Sequence, residues 1–223
     1  RAATAVNPMT IKSLKLLPLA DYTMNLKTGL NLIGLPVKLV KGQVGTAEEF
    51  LDEIEGGSPS LTRYVTATGS QETIARSVQG VYIGADDFTL EAQQGYYVNV
   101  SSKTDISLTG RVYSDSLPTV TFAGAGLYYV TAPGVDNDLF YSWDANQILT
   151  FVPEVKTVHR FDASLQQIFS YIRVNGSYKG TNFDLGVGEG FIFELSTAGS
   201  WDPNGPGVML ASSTGASVST EPA

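Results

Sequence analysis

The feature that most constrains the fold of this chain is an internal repeat. Three blocks recur in the same order, at offsets of 97, 97 and 95 residues. They pair GLNLIG at 29–34 with GLYYVT at 126–131, LTRY at 61–64 with VHRF at 158–161, and GYYVNV at 95–100 with GFIFEL at 190–195. Blocks that keep their order and spacing in this way indicate a tandem duplication of a module of about 95 residues.

Composition favours β structure in each module. The chain has 223 residues, enough for two modules that each enclose a small core. Its hydrophobic fraction of 43% indicates a folded protein, and its 23 Gly, 11 Tyr and 10 Phe are typical of short strands joined by tight turns. We therefore predict a mainly β fold of two tandem, related modules that resemble β-sandwiches or barrels, with a short helix in the first.

The predicted helix runs from Thr46 to Ile54. Thr46 can cap its N-terminus, Glu49 stands at the capping-box position, and Gly56-Gly57 ends it. The matching segment of the second module, 137–147, lacks this charged amphipathic pattern, so we expect a loop there.

Strands and module boundaries follow from apolar stretches and turn residues. The predicted strands cover 10–17, 30–35, 61–67, 73–82, 88–90, 96–100 and 106–113, and the second copy repeats them. A turn-rich joint at 114–118 separates the modules. The resulting segments are an N-terminal arm at 1–17, a first module at 18–116, a second module at 117–210 and a Ser/Thr-rich tail at 211–223.

The duplication also predicts which residues are equivalent and which are buried. We expect Pro36 to match Pro133 and Gly95 to match Gly190. Apolar residues of the repeated blocks and of the helix are expected to form the two cores: Leu32, Ile33, Phe50, Leu51, Phe88, Val98, Phe183, Phe191 and Phe193.

The charge of the chain disfavours some partners. Fourteen Lys and Arg against 22 Asp and Glu give a net charge of −8, which argues against nucleic acid and anionic membranes. No apolar run is long enough to span a membrane. Only 16% of the residues are charged, which is typical of secreted proteins. Because the chain starts at Arg1 without Met, we expect an extracellular or cell-surface location after removal of a signal or pro-segment.

The repeated blocks resemble a known module. GLNLIGLP at 29–36, a short helix, Phe-x-Leu at 88–90 and GYYVNV at 95–100 are similar to a β-rich module that is repeated in bacterial and archaeal secreted and cell-surface proteins. In that family an aromatic residue, usually Trp, commonly follows the opening Gly, where this chain has Leu in both copies. The resemblance covers most of 25–110 well and 123–198 weakly. It implies a non-catalytic structural or adhesive role outside the cell membrane.

No residue pattern points to catalysis. The one histidine, His159, lies at a strand position, and the chain has no Cys, which excludes disulfides and thiolate metal sites. The candidate ligands for a calcium ion are Asp136, Asp138, Asp202 and Asn204. Acids between strands are more often turn residues, so we expect a chain that is not an enzyme and needs no metal or organic cofactor.

Two functions fit these features. The first is a structural subunit of an extracellular filament or surface layer, which contacts copies of itself through β-strands. Its N-terminal arm would bury Ile11, Leu14 and Leu16 against a neighbour. The second is an adhesive module that binds glycans or other surface proteins through exposed aromatic residues. For such contacts the candidates are Tyr97, Tyr128, Tyr141 and Trp143.

Overall fold

Antiparallel strands and two short helices make up the described part of the chain. The computed structural model describes residues 19–35, 37–39, 44–111, 117–132, 140–205 and 208–210. The predicted arm at 1–17 and the tail at 211–223 lie outside these residues, as do Pro36, Pro133, Asp136 and Asp138. Within the described ranges, neither helix has the length and apolar character needed to cross a membrane.

The first module combines a five-stranded sheet, a three-stranded sheet and one helix. Its elements are β1 (Leu19–Leu26), β2 (Gly29–Gly34), β3 (Lys38–Leu39), α1 (Ala47–Asp52), β4 (Ser60–Val65), β5 (Ser70–Arg76), β6 (Tyr82–Gly84), β7 (Gly95–Val100) and β8 (Thr104–Arg111). The larger sheet has the order β2-β7-β4-β5-β6, and the smaller one has the order β1-β8-β3. Residues from both sheets and from α1 form the first hydrophobic core.

The second module is built in the same way around its own five-stranded sheet. Its elements are β9 (Val120–Phe122), β10 (Gly126–Thr131), β11 (Phe140–Asp144), α2 (Ala145–Phe151), β12 (Val155–Asp162), β13 (Gln167–Val174), β14 (Ser177–Lys179), β15 (Asp184–Leu185), β16 (Gly190–Leu195), β17 (Gly199–Trp201) and β18 (Val208–Leu210). The large sheet has the order β10-β16-β12-β13-β14. Two small sheets, β15-β11-β18 and β17-β9, complete the module.

The two large sheets share one topology and one register. Each strand of β2-β7-β4-β5-β6 has its counterpart at the same place in β10-β16-β12-β13-β14. Gly95 pairs with Gly34 in the first sheet, and Gly190 pairs with Thr131, the counterpart of Gly34, in the second. Gly95 and Gly190 therefore occupy equivalent positions, and the repeat in the sequence corresponds to a repeat in the fold.

Helix α1 forms where its capping signal places it. The Thr46 side chain accepts a hydrogen bond from the Glu49 backbone, and the Glu49 side chain accepts one from the Thr46 backbone. The helix ends at Asp52, and Gly56 and Gly57 follow with φ values of +70° and +67°. Those left-handed conformations suit glycine, so the chain can turn away from the helix there.

The loop expected at 137–147 is wrong, because this segment leads into a second helix. Asp144 caps α2 by accepting a hydrogen bond from the Gln147 backbone at 2.6 Å, and the Gln147 side chain accepts one from the Asp144 backbone at 2.9 Å. Ile148 and Leu149 of this helix are fully buried in the second core. The capping box is thus the same device as in α1, built with Asp and Gln instead of Thr and Glu.

Two of the predicted strands also differ from the structure. The stretch 73–82 is divided into β5 and β6 by a turn in which the Ser77 backbone bonds to Val81 at 2.8 Å. The stretch 88–90 contributes an isolated bridge between Thr89 and Thr46 instead of a strand. The apolar residues Phe88 and Leu90 of the second stretch nevertheless lie in the first core, as does Ile74 of the first stretch.

Most residues predicted to be core lie in one of the two cores. The exceptions are Leu32, which is buried between the modules, and Phe183, which is partly buried at the margin of the second core. The residues buried as predicted are Ile33, Phe50, Leu51, Phe88, Val98, Phe191 and Phe193.

The two large sheets pack against each other through the faces turned away from their cores. Leu32, Tyr97 and Ile192 are buried in this contact, with Tyr129 and Phe161 packed beside them. The Tyr97 ring lies edge-on to both neighbours, with ring centres 5.5 Å from Tyr129 and 5.7 Å from Phe161. A small third cluster therefore joins the two cores into one stack of layers.

Hydrogen bonds across this contact are reciprocal. Gly34 N donates to Gly188 O at 2.9 Å, and the equivalent Thr131 N donates to Gln93 O at 3.1 Å. These two backbone bonds are counterparts of each other, and so are the bridges Ile33–Glu189 and Gln94–Val130, which relates the modules by an approximate two-fold axis.

Close approach of the backbones explains the two equivalent glycines. A Cβ atom at Gly95 would lie 2.9 Å from the carbonyl oxygen of Val130, and one at Gly190 would lie 2.6 Å from that of Ile33. Any larger residue at either position would push the modules apart.

The two sheets overlap only in part. Strand β2 contacts β12 and β16, and β10 contacts β4 and β7. From this shared region the first sheet continues through β4 and β5 to β6, and the second continues through β12 and β13 to β14. The two sheets extend in opposite directions, so β6 and β14 lie on opposite sides of the molecule.

Candidate functional site

Two of the aromatic residues expected at the surface are buried, so the structure contradicts the exposure that this prediction requires. Tyr97 is 9% exposed and fills the contact between the sheets. Trp143 is 4% exposed in the second core, where its ring packs edge-on to Trp201 and its Nε1 donates to Pro203 O at 3.0 Å. Neither ring is available to a partner in this fold, because each is needed to fill a packed interior.

The other predicted contact residues are either half-buried or outside the described part of the molecule. Tyr128 packs on Phe122, and its hydroxyl both donates to Gly124 O and accepts from Gly124 N. Tyr141 lies in β11, where the structure describes the backbone but not this side chain. The remaining three, Ile11, Leu14 and Leu16, lie outside the described residues.

Asp202 and Asn204 form a turn that is hydrogen-bonded to the backbone of Leu117. Asp202 Oδ1 accepts hydrogen bonds from the backbone and the side chain of Asn204 at 2.9 and 2.8 Å. The Asn204 amide then bonds to Leu117 N and O at 2.7 and 2.6 Å. These oxygens are therefore engaged within the protein. Among the described residues no group of three or more His, Cys, Asp or Glu side chains is placed to hold a metal ion.

His159 takes part in a cross-strand pair that the first module makes with other residues. Its Nδ1 lies 2.7 Å from Ser170 Oγ, and the equivalent pair in the first module is Thr62 and Thr73, whose hydroxyl oxygens are 2.8 Å apart. Burial lowers the pKa of His159, while the charge of Glu194 acts in the opposite direction. The repeat therefore assigns His159 to a structural pair.

Three exposed apolar side chains lie together at the outer edge of the first sheet. Strand β6 pairs with β5, and no other described strand pairs with it. Ile83 on this strand is 61% exposed, and Val78 and Val81 of the preceding turn are 71% and 58% exposed. A cluster of such side chains on a sheet edge is unusual for a surface that faces only water.

The outer edge of the second sheet is its counterpart on the opposite side of the molecule. Strand β14 pairs with β13 and with no other strand in the described ranges. Tyr178 on this strand and Val174 before the turn are both partly exposed. We call β6 with Val78 and Val81 the first edge, and β14 with Val174 the second edge.

In each module, an arginine of the fourth strand and a tyrosine of the edge strand bond to the helix or to the residues just after it. In the first module, Arg76 bonds to Asp52 at 3.0 Å and to the carbonyl of Ile54, and the Tyr82 hydroxyl donates to Asp52. These hydrogen bonds lower the pKa of Asp52, so its carboxylate keeps its charge.

The second module makes the same attachment with neutral partners. Arg173, the counterpart of Arg76, donates to the carbonyls of Leu149, Pro153 and Val155. The Tyr178 hydroxyl lies 3.2 Å from Thr150 Oγ1. In both modules the guanidinium group donates to backbone carbonyls that have no partner within the helix, at its C-terminus and just beyond it. The outer strands of each sheet are thus attached to the helix of their module.

Charge distinguishes the two edges. Around the first edge lie Asp52 of α1 and Asp86-Asp87, which follow β6 after the intervening Ala85. The equivalent positions around the second edge are the neutral Thr150 and Thr181-Asn182, and β14 itself carries Lys179. The first edge is therefore acidic, whereas the second is neutral to basic.

Sequence reasoning missed these edges although the signal was present. Aligning the two copies residue by residue shows that the acids near β6 are lost near β14, while the arginine on the neighbouring strand is kept. Positions that differ between copies sharing one fold are free to serve functions other than folding.

No protein-family model, curated protein or solved structure matches the chain.

Proposed function

We propose that this chain is a non-catalytic structural subunit that joins copies of itself end to end, the first edge of one copy against the second edge of the next. The filament or surface layer formed in this way would lie outside the cell. The observation that carries the proposal is the placement of two sheet edges on opposite sides of the molecule, each with exposed apolar side chains.

Both backbone and side chains would contribute to the joint. An edge strand presents backbone donors and acceptors that a strand of another chain can satisfy. Strands β6 and β14 are only three residues long, so backbone pairing supplies few hydrogen bonds. Apolar contact by Ile83, Val81 and Tyr178 would therefore have to supply much of the remaining stabilisation.

The difference in charge favours unlike edges meeting. Two first edges would bring Asp52, Asp86 and Asp87 of each copy close together, which costs free energy. A first edge against a second edge instead places these acids near Lys179. Unlike surfaces on opposite sides cannot close a symmetric dimer, so the contact repeats from one copy to the next, and it gives an open filament when the rotation between copies does not close a ring.

An extracellular location is supported by composition and by the resemblance of the repeated blocks. A surface with few charges and a net charge of −8 is common in secreted proteins. The β-rich module that the first copy resembles occurs in secreted and cell-surface proteins.

The experiment uses two variants, each with one damaged edge. Ile83→Asn removes an exposed apolar side chain from the first edge, and Lys179→Glu places an acid on the second. Wild type is expected to form rods in negative-stain micrographs, and each variant alone is expected to stay monomeric in analytical ultracentrifugation. An equimolar mixture is expected to form 1:1 dimers, because each variant retains the edge that the other has lost.

Leu19→Asn is the matched control, since Leu19 is 58% exposed and belongs to neither edge. It should assemble like wild type. A wild-type chain that remains monomeric at high concentration would refute the proposal. Dimers formed by either variant alone would show that like edges meet, which contradicts the end-to-end arrangement.

A further inference from the structure

A cavity opens in the second module beside its large sheet, on the opposite side of the molecule from the first edge. It has a volume of about 560 Å³, within the range of small-molecule sites. Its walls come from β12, β13 and the segment 181–189. The side chains that matter for its chemistry are Arg160, Asp162, Phe169, Asn182, Asp184 and Glu189.

The first module shows how the equivalent space is used when no ligand chemistry is built into it. There Arg63 pairs across the strands with Glu72, at 2.6 Å between Nη2 and Oε2. The same guanidinium lies over the Phe88 ring, 4.3 Å from its centre. The arginine thus covers the aromatic ring and neutralises the acid.

The second module keeps the arginine and the ring but changes the partner. Phe169 takes the place of Glu72 opposite Arg160, and Phe183 takes the place of Phe88. Arg160 instead pairs with Glu189 at 3.0 Å, where the first module has Gln94. Two changes, Glu to Phe and Gln to Glu, therefore leave Arg160 paired with Glu189 and place an aromatic ring in the cavity wall.

The polar groups of the cavity are held in place by the protein. Asp162 Oδ1 accepts hydrogen bonds from Ser164 N and Leu165 N at 2.8 and 2.9 Å, and Arg160 is oriented by Glu189. The Asn182 side-chain oxygen accepts a hydrogen bond from the Asn146 backbone at 2.9 Å. Groups fixed in advance lose little conformational freedom when a ligand binds.

The combination of groups selects a ligand class. Arg160 is paired with Glu189, and the two remaining carboxylates, Asp162 and Asp184, give the walls a net negative charge that repels anionic ligands. Phe169 is 41% exposed and offers a flat apolar surface. A molecule with hydroxyl groups on its rim and an apolar C–H face matches both features, because hydroxyls donate to carboxylates and accept from guanidinium groups. We propose that the second module binds a neutral saccharide in this cavity, with a sugar ring on Phe169.

The test is a glycan array carrying neutral oligosaccharides, followed by calorimetric titration of the full chain with the methyl glycosides of glucose, galactose and mannose. At least one neutral saccharide is expected to bind. Phe169→Ala should weaken that binding on the order of tenfold by removing the stacking surface. Phe169→Glu, which restores the residue of the first module, should abolish it by drawing Arg160 back across Phe183.

Glu72→Ala is the matched control in the first module and should bind like wild type. Melting curves of all variants, read by tryptophan fluorescence, establish that each is folded; Phe169 is exposed enough for its truncation to be tolerated. The proposal is overturned if no neutral saccharide binds, if sialylated or amine-bearing saccharides bind in their place, or if Phe169→Ala and Phe169→Glu bind as tightly as wild type.

Discussion

The two modules share a fold but have different surfaces, and the difference separates what folding requires from what it leaves free. Both keep the order of five strands, a capping box, and an arginine from the fourth strand of the sheet bonded to carbonyls near the helix end. The acids near β6 and the Arg63–Glu72 pair are kept in the first module alone. The features common to both modules therefore maintain the sheet, and the residues that differ between the modules lie at the proposed contacts.

The largest effect is expected from core truncation, and it tests whether the modules unfold together. Phe88→Ala should lower the free energy of unfolding by about 3–5 kcal/mol, since Phe88 is 4% exposed in the first core. Both tryptophans, Trp143 and Trp201, lie in the second core. Because the buried contact between the sheets couples the modules, we expect the fluorescence and far-ultraviolet circular dichroism transitions to shift together. A fluorescence transition that stays in place would mean that the modules unfold independently.

The arginine attachments should differ in strength. Arg173→Met is expected to cost about 2–3 kcal/mol, because it leaves the carbonyls of Leu149, Pro153 and Val155 without their charged donor. Arg76→Met should cost less, since its partner Asp52 is largely exposed and can be solvated by water. Urea titration of both variants measures the difference. Equal losses would contradict the view that the second module depends more on this attachment.

Alanine at the two equivalent glycines tests the approximate two-fold relation. Gly190→Ala is expected to cost about 2 kcal/mol and Gly95→Ala about 1 kcal/mol, because each new methyl group would press on the backbone of the other module. Gly124→Ala is the control, as a Cβ there meets nothing within 4 Å. The melting temperatures of the three variants measure these losses. A loss of stability at only one of the two contact glycines would contradict the two-fold relation between the modules.

Asn204→Ala, taken together with chelation by EDTA, distinguishes a structural turn from a calcium site in the second module. The substitution should cost about 1 kcal/mol by removing two hydrogen bonds to Leu117. Melting wild type with and without EDTA should give the same midpoint. A marked loss of stability in EDTA would show that the residues of this turn, or those at Asp136 and Asp138, hold an ion.

The smallest effect at neutral pH is expected for Tyr97→Phe, which retains the ring contacts between the sheets. Burial raises the pKa of Tyr97 to about 12, whereas its counterpart in the second module, Ile192, does not ionise. A pKa raised above its unfolded value of about 10 gives stability that is complete below pH 10 and is lost as the pH rises towards 12. The free energy of unfolding in urea, measured from pH 9 to 12, should therefore fall less steeply for the variant than for wild type. Parallel pH profiles would contradict the raised pKa of Tyr97.

The sequence was enough to predict that the two modules have equivalent sheets, but not how the two sheets pack against each other. The repeated blocks were enough to place Gly95 and Gly190 at equivalent positions, and the capping residues Thr46 and Glu49 were enough to place α1. Helix α2 was missed because its buried face is flanked by Asn146, Gln147 and Thr150 instead of charges.

The candidate contacts were harder to predict for a physical reason. Alternation along β7 does place Tyr96 and Tyr97 on opposite faces of the sheet. It carries no information on whether the second face meets water or another sheet, so Tyr97 was expected at the surface. Exposure of Ile83 at an edge likewise depends on strand order, which is a long-range property of the fold.

The reciprocal bonds Gly34–Gly188 and Thr131–Gln93 have an evolutionary consequence. They have the arrangement found across the two-fold axis of a homodimer, here made within one polypeptide. An ancestor with one module per chain would have had two identical ends, and mutation would have altered both at once. In a single polypeptide each end can change alone, as the proposed contact between a first edge and a second edge requires. Covalent linkage of two like modules is therefore enough to give such a protein a direction, without any new fold.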